Sequence, residues 1–168
     1  IGSPSTEGYL STVAPALLRA HRTHNLRLTV ISAGRASLGA LDSMVDRVQW
    51  APATFAQELA RADLGLMPLR DDEWSRGKCA YKLLQYGAAA LPLVGSPVGA
   101  NREVLSRAEG LAPRSVDDWY DAMVQLLEES DESRARRGRA ARRAVEENYS
   151  FRSWEPTWVE AVGLAAAA

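Results

Sequence analysis

The sequence is poor in cysteine, in aromatic residues and in net charge. Cys79 is the single cysteine, which excludes a disulfide within the chain and argues against a zinc site. A reducing, cytoplasmic compartment is therefore the default expectation. The net charge of −1 gives no electrostatic reason to expect nucleic acid as a partner. No apolar run reaches the length of a membrane helix, and we expect no secretory signal, because no segment is charged and then apolar.

What the sequence does contain is typical of a globular domain. Apolar residues make up 46% of the 168 residues, which is enough for one domain with a core. Ile1 and Gly2 look like the end of a strand, and Ser3-Pro4-Ser5-Thr6 leads at once into a helix. We therefore expect the chain to be a piece of a longer polypeptide. The Ala165–Ala168 tail is predicted to be frayed.

Short apolar strands alternate with helical patterns along the chain. Strands are predicted at 26–32, 47–50, 63–68 and 91–96. Helices are predicted at 7–21 with Ser5 or Thr6 as cap, 55–62 capped by Thr54, from the RGKCAYKLLQY stretch (76–86) to about residue 90, and at 101–105, 117–129, 134–148 and 153–162. This order predicts an α/β domain, a Rossmann-like parallel sheet with helices on both faces.

In such folds ligands bind beyond the carboxyl ends of the strands. The candidate loops are 2–5, 33–39, 51–54, 69–77 and 96–101. Within the third predicted helix, the spacing puts Lys78, Lys82, Gln85 and Ala89 on one stripe. Two lysines four residues apart repel each other, and an anion bound between them at the helix start would remove that cost. The alternative is that Asp71, Asp72 and Glu73 pair with these lysines at the surface.

Other polar residues have an ordinary structural interpretation beside a functional one. Cys79 is predicted to be a small core residue, and His21 and His24 to be solvated. Ser3 to Thr6 could meet a ligand with hydroxyls and amides, or form a helix cap. Gly99 permits close backbone approach to a ligand, or a turn. Glu103 could bind a ligand hydroxyl, with a surface glutamate as the default, and the basic run RARRGRAARR (134–143) is predicted to be a solvated helix face.

The segment KLLQYGAAALPLVGSPVGANREV (82–104) resembles the donor-binding half of retaining glycosyltransferases of GT-B architecture, those of glycosyltransferase family 4. The preceding DLGLMPLRDDEW (63–74) and the closing NYSFRSWEPTWVEAV (148–162) are similar to the family as well. The resemblance implies a domain that binds a nucleotide-diphosphate sugar, with no metal or other cofactor required. It implies a nucleotide-sugar-binding domain at 1–150 and, at 151–168, a helix that crosses toward a missing N-terminal acceptor domain.

The resemblance also assigns roles to individual residues. Gln85 stands where the family has a glutamate for the ribose hydroxyls, and glutamine can still make such bonds. Gly77 stands where the family has a glutamate for the sugar, so that contact is missing or comes from Asp72, Glu73 or Arg76. The loop around Ala51 and Pro52 is expected to lie against the base. Gly99 is a further candidate for the sugar.

The arginine and lysine that usually hold the diphosphate are absent, and Ser3 and Glu7 lie in that region instead. Lys78, Lys82 and Arg76 are our candidates to supply the lost positive charge, with Ser3 as a further diphosphate ligand. The catalytic residues remain unassigned. The resemblance implies a hexosyltransferase, inactive as this fragment alone, with possible membrane association of the full-length enzyme. The alternatives are an epimerase or phosphorylase of the same architecture, or a non-catalytic module that uses the basic helix.

Overall fold

Four short parallel strands form the centre of the computed structural model, which describes residues 1–163. The strands are β1 (Leu28–Ser32), β2 (Val45–Gln49), β3 (Gly65–Met67) and β4 (Leu93–Gly95). β1 pairs with β2 in parallel from Leu28 beside Val45 to Ser32 beside Gln49, and β3 pairs with β4 from Gly65 beside Leu93. All four predicted strands are therefore confirmed, each shorter than or shifted from the predicted range. The predicted frayed tail lies outside the described residues.

Helices connect and cover these strands. They are α1 (Pro4–Glu7), α2 (Ala14–His24), α3 (Phe55–Leu59), α4 (Glu73–Arg76), α5 (Tyr81–Ala88), α6 (Asn101–Arg107), α7 (Val116–Glu128), α8 (Asp131–Asn148) and α9 (Phe151–Ala161), with single 3-10 turns at Gly8–Thr12 and Gly39–Met44. The predicted α/β class is confirmed.

The first predicted helix is wrong in its extent. Instead of one helix over 7–21, α1 ends at Glu7, a 3-10 segment follows, and α2 begins at Ala14. Pro15 lies in the first turn of α2, where its missing N–H costs nothing, so the helix restarts there. Ser3 is the cap of α1, rather than Ser5 or Thr6.

The predicted helix from the RGKCAYKLLQY stretch to about residue 90 is wrong in a way that matters for the site. α4 ends before Gly77, and α5 begins only at Tyr81 after Ala80, whose φ of 55° is left-handed. Lys78 therefore lies in a loop, whereas Lys82 and Gln85 lie on α5. The two lysines do not share one helical stripe.

Two apolar clusters hold the elements together. One gathers side chains of α5, β4, α6 and α8, with Leu83, Leu93 and Leu105 almost fully buried. The other gathers α2, β1 and α7, with Leu17 and Met123 fully buried. The residues predicted to face inward from α7 do so, because Trp119, Met123 and Leu126 are buried and Leu127 is half-buried.

Candidate functional site at the carboxyl ends of the strands

Three of the loops beyond the strands converge in the structure. A Cβ placed on Gly2 would lie 3.5 Å from Cε of Lys82, so the 2–5 loop lies against the first turn of α5. The Tyr9 and Ser75 hydroxyls are 3.2 Å apart, which joins the segment after α1 to α4. Gly99, in the loop after β4, packs against the carbonyl of Arg76. The candidate loops 2–5, 69–77 and 96–101 therefore form one surface.

Lys82 occupies the centre of this surface. Its side chain is half-buried, and its burial, followed by repulsion from Lys78, lowers the pKa of its ammonium group below 10.5. Lys78 is also half-buried, and its Nζ lies 4.7 Å from the centroid of the Tyr9 ring, a cation–π contact. The two cations therefore influence each other although they do not share a helix.

The acidic residues before α4 do not neutralise these lysines. Asp71 accepts a 2.7 Å hydrogen bond from Nε of Arg76, and Asp72 accepts one of 2.7 Å from the Ser75 amide as the cap of α4. Within residues 1–163, no salt bridge joins Lys78 or Lys82 to Asp71, Asp72, Glu73 or any other carboxylate. The lysines therefore form no ion pair with these residues among those described, although Lys78 attracts Asp72 at longer range and helps to lower the pKa of that carboxyl.

Arg76 differs from the two lysines. Its guanidinium is exposed and bound to Asp71, and this hydrogen bond raises the pKa of Arg76. Its positive charge is therefore already matched in part, whereas the charge of Lys82 is not.

Ser3 lies beside this cationic surface and is engaged in the helix cap. Its amide donates to the Thr6 hydroxyl at 3.1 Å, and that hydroxyl donates to the Ser3 carbonyl at 3.0 Å. The Ser3 hydroxyl, 2.9 Å from that of Ser5, remains exposed. The cap interpretation of this stretch holds, and the exposed hydroxyl leaves Ser3 accessible to a ligand.

Gly99 adopts a backbone conformation that would be strained for any other residue. Its φ is +54°, and a Cβ at this position would overlap the Arg76 carbonyl. The glycine therefore allows the 96–101 loop to approach the end of α4 closely.

We expect Gly99→Ala to destabilise the fold by about 2 kcal/mol, because the added methyl pushes against backbone rather than against a mobile side chain. Urea unfolding measures this change. Gly77→Ala is the matched control, since a Cβ there meets nothing closer than 3.6 Å and Gly77 has a φ of −78°. Equal stability of the two variants would contradict the packing described for Gly99.

The remaining sequence candidates surround this surface. Gln85 is half-buried on α5, one turn after Lys82, and Gly77 is exposed. Asp72 and Glu73 are exposed at the start of α4. Ala51 and Pro52 follow β2, half-buried and exposed respectively.

Trp50, which the sequence reasoning missed, stands beside the Ala51–Pro52 loop. The residue is 41% exposed, and its ring stacks on Phe55 with centroids 6.2 Å apart and planes 24° apart. Such a pair offers a flat apolar face next to the loop predicted to meet the base. The signal available in the sequence was an aromatic residue directly ahead of the loop, with a second aromatic five residues later.

An ion pair between the buried Glu7 and the surface residue Arg47 was also missed. Glu7 is 7% exposed, and its Oε2 accepts a 3.2 Å hydrogen bond from Arg47. The same guanidinium donates to the carbonyls of Gly34, at 3.0 Å, and Ala36. Oε1 of Glu7 has no hydrogen-bond partner and fills the space that a side chain at residue 34 would need. Glu7 therefore anchors the 33–39 loop through Arg47.

Two sequence expectations about single residues are wrong. Cys79 is exposed rather than in the core, because it lies in the loop before α5 and not on a buried helical face. His21 and His24 are half-buried rather than solvated. His21 Nδ1 lies 2.8 Å from the Leu26 carbonyl, and His24 Nε2 lies 3.1 Å from Glu128.

Glu103 was predicted to be a surface glutamate and the basic run 134–143 to be a solvated helix face, and both predictions agree with the structure. Glu103 is exposed and accepts a hydrogen bond from Arg107 at 2.9 Å. Along α8, arginines pair with nearby carboxylates: Arg134 with Asp131, Arg137 with Glu129 and Arg142 with Glu146. Three of the six arginines of the basic run are therefore ion-paired on the helix surface.

No helix within 1–163 is both long enough and apolar enough to span a membrane. The same residues hold no group of three or more His, Cys, Asp and Glu side chains that could bind a metal ion.

Residues 7–129 match the family described as glycosyl transferases group 1. The chain belongs to this family.

No curated protein matches the sequence. Among solved structures, the glycosyltransferase chain is similar to the crystal structure of CalG4, the calicheamicin glycosyltransferase, with a TM-score of 0.57 and 19% identity. At that identity the match shows the fold, one half of a GT-B glycosyltransferase. It covers 99% of this chain and 42% of that one, so the chain spans less than half of CalG4.

Proposed function

We propose that this chain is the donor-binding domain of a retaining glycosyltransferase of family 4 type, and that it binds a nucleotide-diphosphate sugar. The diphosphate lies against Lys78, Lys82, Arg76 and Ser3, the ribose against Gln85, and the base against Ala51 and Pro52. Asp72, Glu73 and Gly99 are the candidates nearest the sugar. Transfer to an acceptor needs the N-terminal domain of the full enzyme, so the fragment alone is inactive.

The observation that carries this proposal is the environment of Lys82. A half-buried ammonium group at the carboxyl edge of a parallel sheet, with a second cation nearby and no carboxylate partner in the described chain, is arranged for an anion. A diphosphate supplies that anion, and positive charge around it stabilises the leaving group during transfer. Because the lysines provide this charge, we propose that no metal ion is needed.

Calorimetric titration of the 168-residue chain with UDP, GDP and ADP tests binding directly. We expect at least one diphosphate to bind more tightly than its own nucleoside, because the nucleoside has no phosphate group to contact the lysines. Chelating agents should leave the affinity unchanged. Equal binding of nucleoside and diphosphate would contradict the proposal.

Diphosphate binding should depend on pH through Lys82. Only the protonated amine attracts the anion, so the affinity falls as the pH rises through the lowered pKa of this group, earlier than for an exposed lysine of pKa 10.5. Titrations between about pH 7.5 and about pH 10 measure this decline. Lys82→Arg should flatten the profile because arginine stays charged. An identical decline in wild type and Lys82→Arg would assign the dependence to another group.

Retention and the reaction type are tested on the full-length enzyme. With a labelled hexose donor, we expect a transferred sugar whose anomeric configuration matches that of the donor. Free epimerised nucleotide sugar, or phosphorolysis, would identify one of the rival enzymes of the same architecture.

The last described helix supports a second domain in the full enzyme. α9 buries none of its residues, and Phe151, Trp154 and Trp158 are 99%, 55% and 59% exposed. We propose that α9 crosses to the N-terminal domain, which covers this aromatic face; the end of the predicted crossing segment 151–168, residues 164–168, lies outside the described residues. Membrane association of the cytoplasmic, full-length enzyme is part of the same proposal and is tested by vesicle flotation.

A further inference from the structure

Tyr9 lies in the 3-10 segment Gly8–Thr12 and reaches across to the end of α4. Its hydroxyl and that of Ser75 are 3.2 Å apart, and Nζ of Lys78 lies 4.7 Å from the centroid of its ring. The Tyr9 carbonyl accepts a 2.7 Å hydrogen bond from the Thr12 hydroxyl. The ring is therefore fixed at both ends, by the backbone and by the hydroxyl.

The backbone of Lys78 is held at the end of α4. Its amide donates to the Ser75 carbonyl at 3.2 Å, and Ser75 is fully buried. Ala80, with its left-handed φ of 55°, then turns the chain into α5. The side chain of Lys78 can therefore reach different neighbours while its backbone stays in place.

Asp72 is the neighbour that competes with Tyr9 for Lys78. It caps the start of α4, six positions before Lys78. A helical path of six residues rises about 9 Å, and a lysine side chain can span most of that distance. Hydrogen bonds from Ser75 lower the pKa of Asp72 most, and the charges of Arg70 and Lys78 lower it further. Lys78 is therefore within electrostatic reach of this carboxylate, yet in the described part of the chain the two side chains form no ion pair.

The ring and the carboxylate attract the same cation with similar strength. A cation over an aromatic ring and an ion pair at a protein surface contribute comparable, small free energies. Asp72 is exposed, so water weakens its attraction for the ammonium group. Tyr9 is half-buried and packs against the apolar cluster around α5. The ring therefore holds the ammonium group, and without the ring this group would move to Asp72.

We propose that Tyr9 is a positioning residue of the cationic surface: its ring holds the ammonium group of Lys78 away from Asp72 and so keeps this positive charge available to an anion. That the anion is the diphosphate of a nucleotide sugar rests on the proposed function. An ammonium group has three N–H donors, so contact with one ring face leaves donors for phosphate oxygens. An ion pair with Asp72 would instead cancel the charge and place a carboxylate beside the anion.

The first test measures the pKa of the Asp72 carboxyl by NMR without ligand, so that its result does not depend on the proposed function. Tyr9→Leu removes the ring but keeps an apolar side chain, and we expect it to lower the pKa of Asp72, because a closer cation favours the carboxylate. Tyr9→Phe keeps the ring and should lower this pKa less, and Lys78→Met in the Tyr9→Leu background should reverse the decrease. No decrease in Tyr9→Leu, an equal decrease in Tyr9→Phe, or a decrease that persists with Lys78→Met would overturn the proposal.

The second test measures diphosphate affinity by calorimetry with UDP, GDP and ADP. We expect Tyr9→Leu to weaken binding about threefold to tenfold, the size of one cation–π contact, and Tyr9→Phe to retain most of the affinity. Asp72→Asn keeps a good helix cap but removes the charge that competes for Lys78. It should therefore raise the affinity more in the Tyr9→Leu background than in the wild type. Equal gains in the two backgrounds would contradict the competition and overturn the proposal.

The two tests separate this proposal from the proposed function. If the wild type binds none of the three diphosphates while Tyr9→Leu still lowers the pKa of Asp72, the proposed function fails and the role of the ring is supported. If Tyr9→Leu does not fold, the unmodified protein decides. The ε-methylene protons of Lys78, one of two lysines in the chain, should resonate upfield of their position in the urea-unfolded protein, because the end of this side chain lies over the ring. Equal chemical shifts in the folded and unfolded protein would overturn the proposal.

Discussion

Lys82→Ala should weaken the binding of nucleoside diphosphates about tenfold to a hundredfold and leave nucleoside binding unchanged. A hydrogen bond to a charged group contributes about 1.5–3 kcal/mol, and each 1.4 kcal/mol is a factor of ten in affinity. Lys82 is the half-buried cation beside Gly2 at the carboxyl edge of the sheet. Its removal therefore weakens the interaction with the diphosphate and leaves the contacts with the base unchanged. Calorimetry with UDP, GDP and ADP, and with the matching nucleosides, measures the difference.

The matched control for Lys82→Ala is Arg136→Ala. It removes the same charge from an exposed position on α8. We expect it to leave diphosphate affinity unchanged, so that a loss specific to Lys82 is separated from an effect of net charge. Lys78→Ala should give a smaller loss, because its ammonium group already contacts the Tyr9 ring. Equal losses for nucleoside and diphosphate in Lys82→Ala would count against the phosphate role.

Arg47→Leu should destabilise the domain by about 3–5 kcal/mol. The substitution leaves the Glu7 carboxylate buried without its partner, and an uncompensated buried charge has a cost of this size. The carbonyls of Gly34 and Ala36 would lose their donor as well. Unfolding in urea, monitored by circular dichroism, gives the change in free energy.

A double-mutant cycle tests whether the ion pair is the cause. Glu7→Leu combined with Arg47→Leu removes both charges, and we expect the double variant to be more stable than Arg47→Leu alone. If the double variant were as unstable as the single one, the loss would come from the loop carbonyls or from packing, and the account of Glu7 would be wrong.

The strands could be predicted from the sequence because short apolar runs between helices have few alternatives. The inward face of α7 was predictable for the same reason, since Trp119, Met123 and Leu126 follow the helical period. The class of fold and the edge of the sheet that carries the site follow from these local patterns.

The positions of Lys78 and Cys79 could not be predicted, because the chain breaks between α4 and α5 at Ala80. Alanine rarely adopts a left-handed backbone conformation, and no feature of its side chain predicts one at this position. The pair of Glu7 and Arg47 was equally hidden, since its members lie 40 residues apart and meet only through the fold.

The central claim is that a nucleoside diphosphate binds where the 2–5 loop meets α5. The most direct measurement is an NMR titration of the amide signals of this chain with UDP, GDP and ADP. We predict that at least one diphosphate shifts the amides of residues 2–6 and 78–85, and that the nucleoside alone does not shift those beside Lys82. If no diphosphate shifts the amide signals of residues 78–85, while RNA or lipid vesicles shift those of residues 134–143, the domain is an interaction module and the claim is wrong.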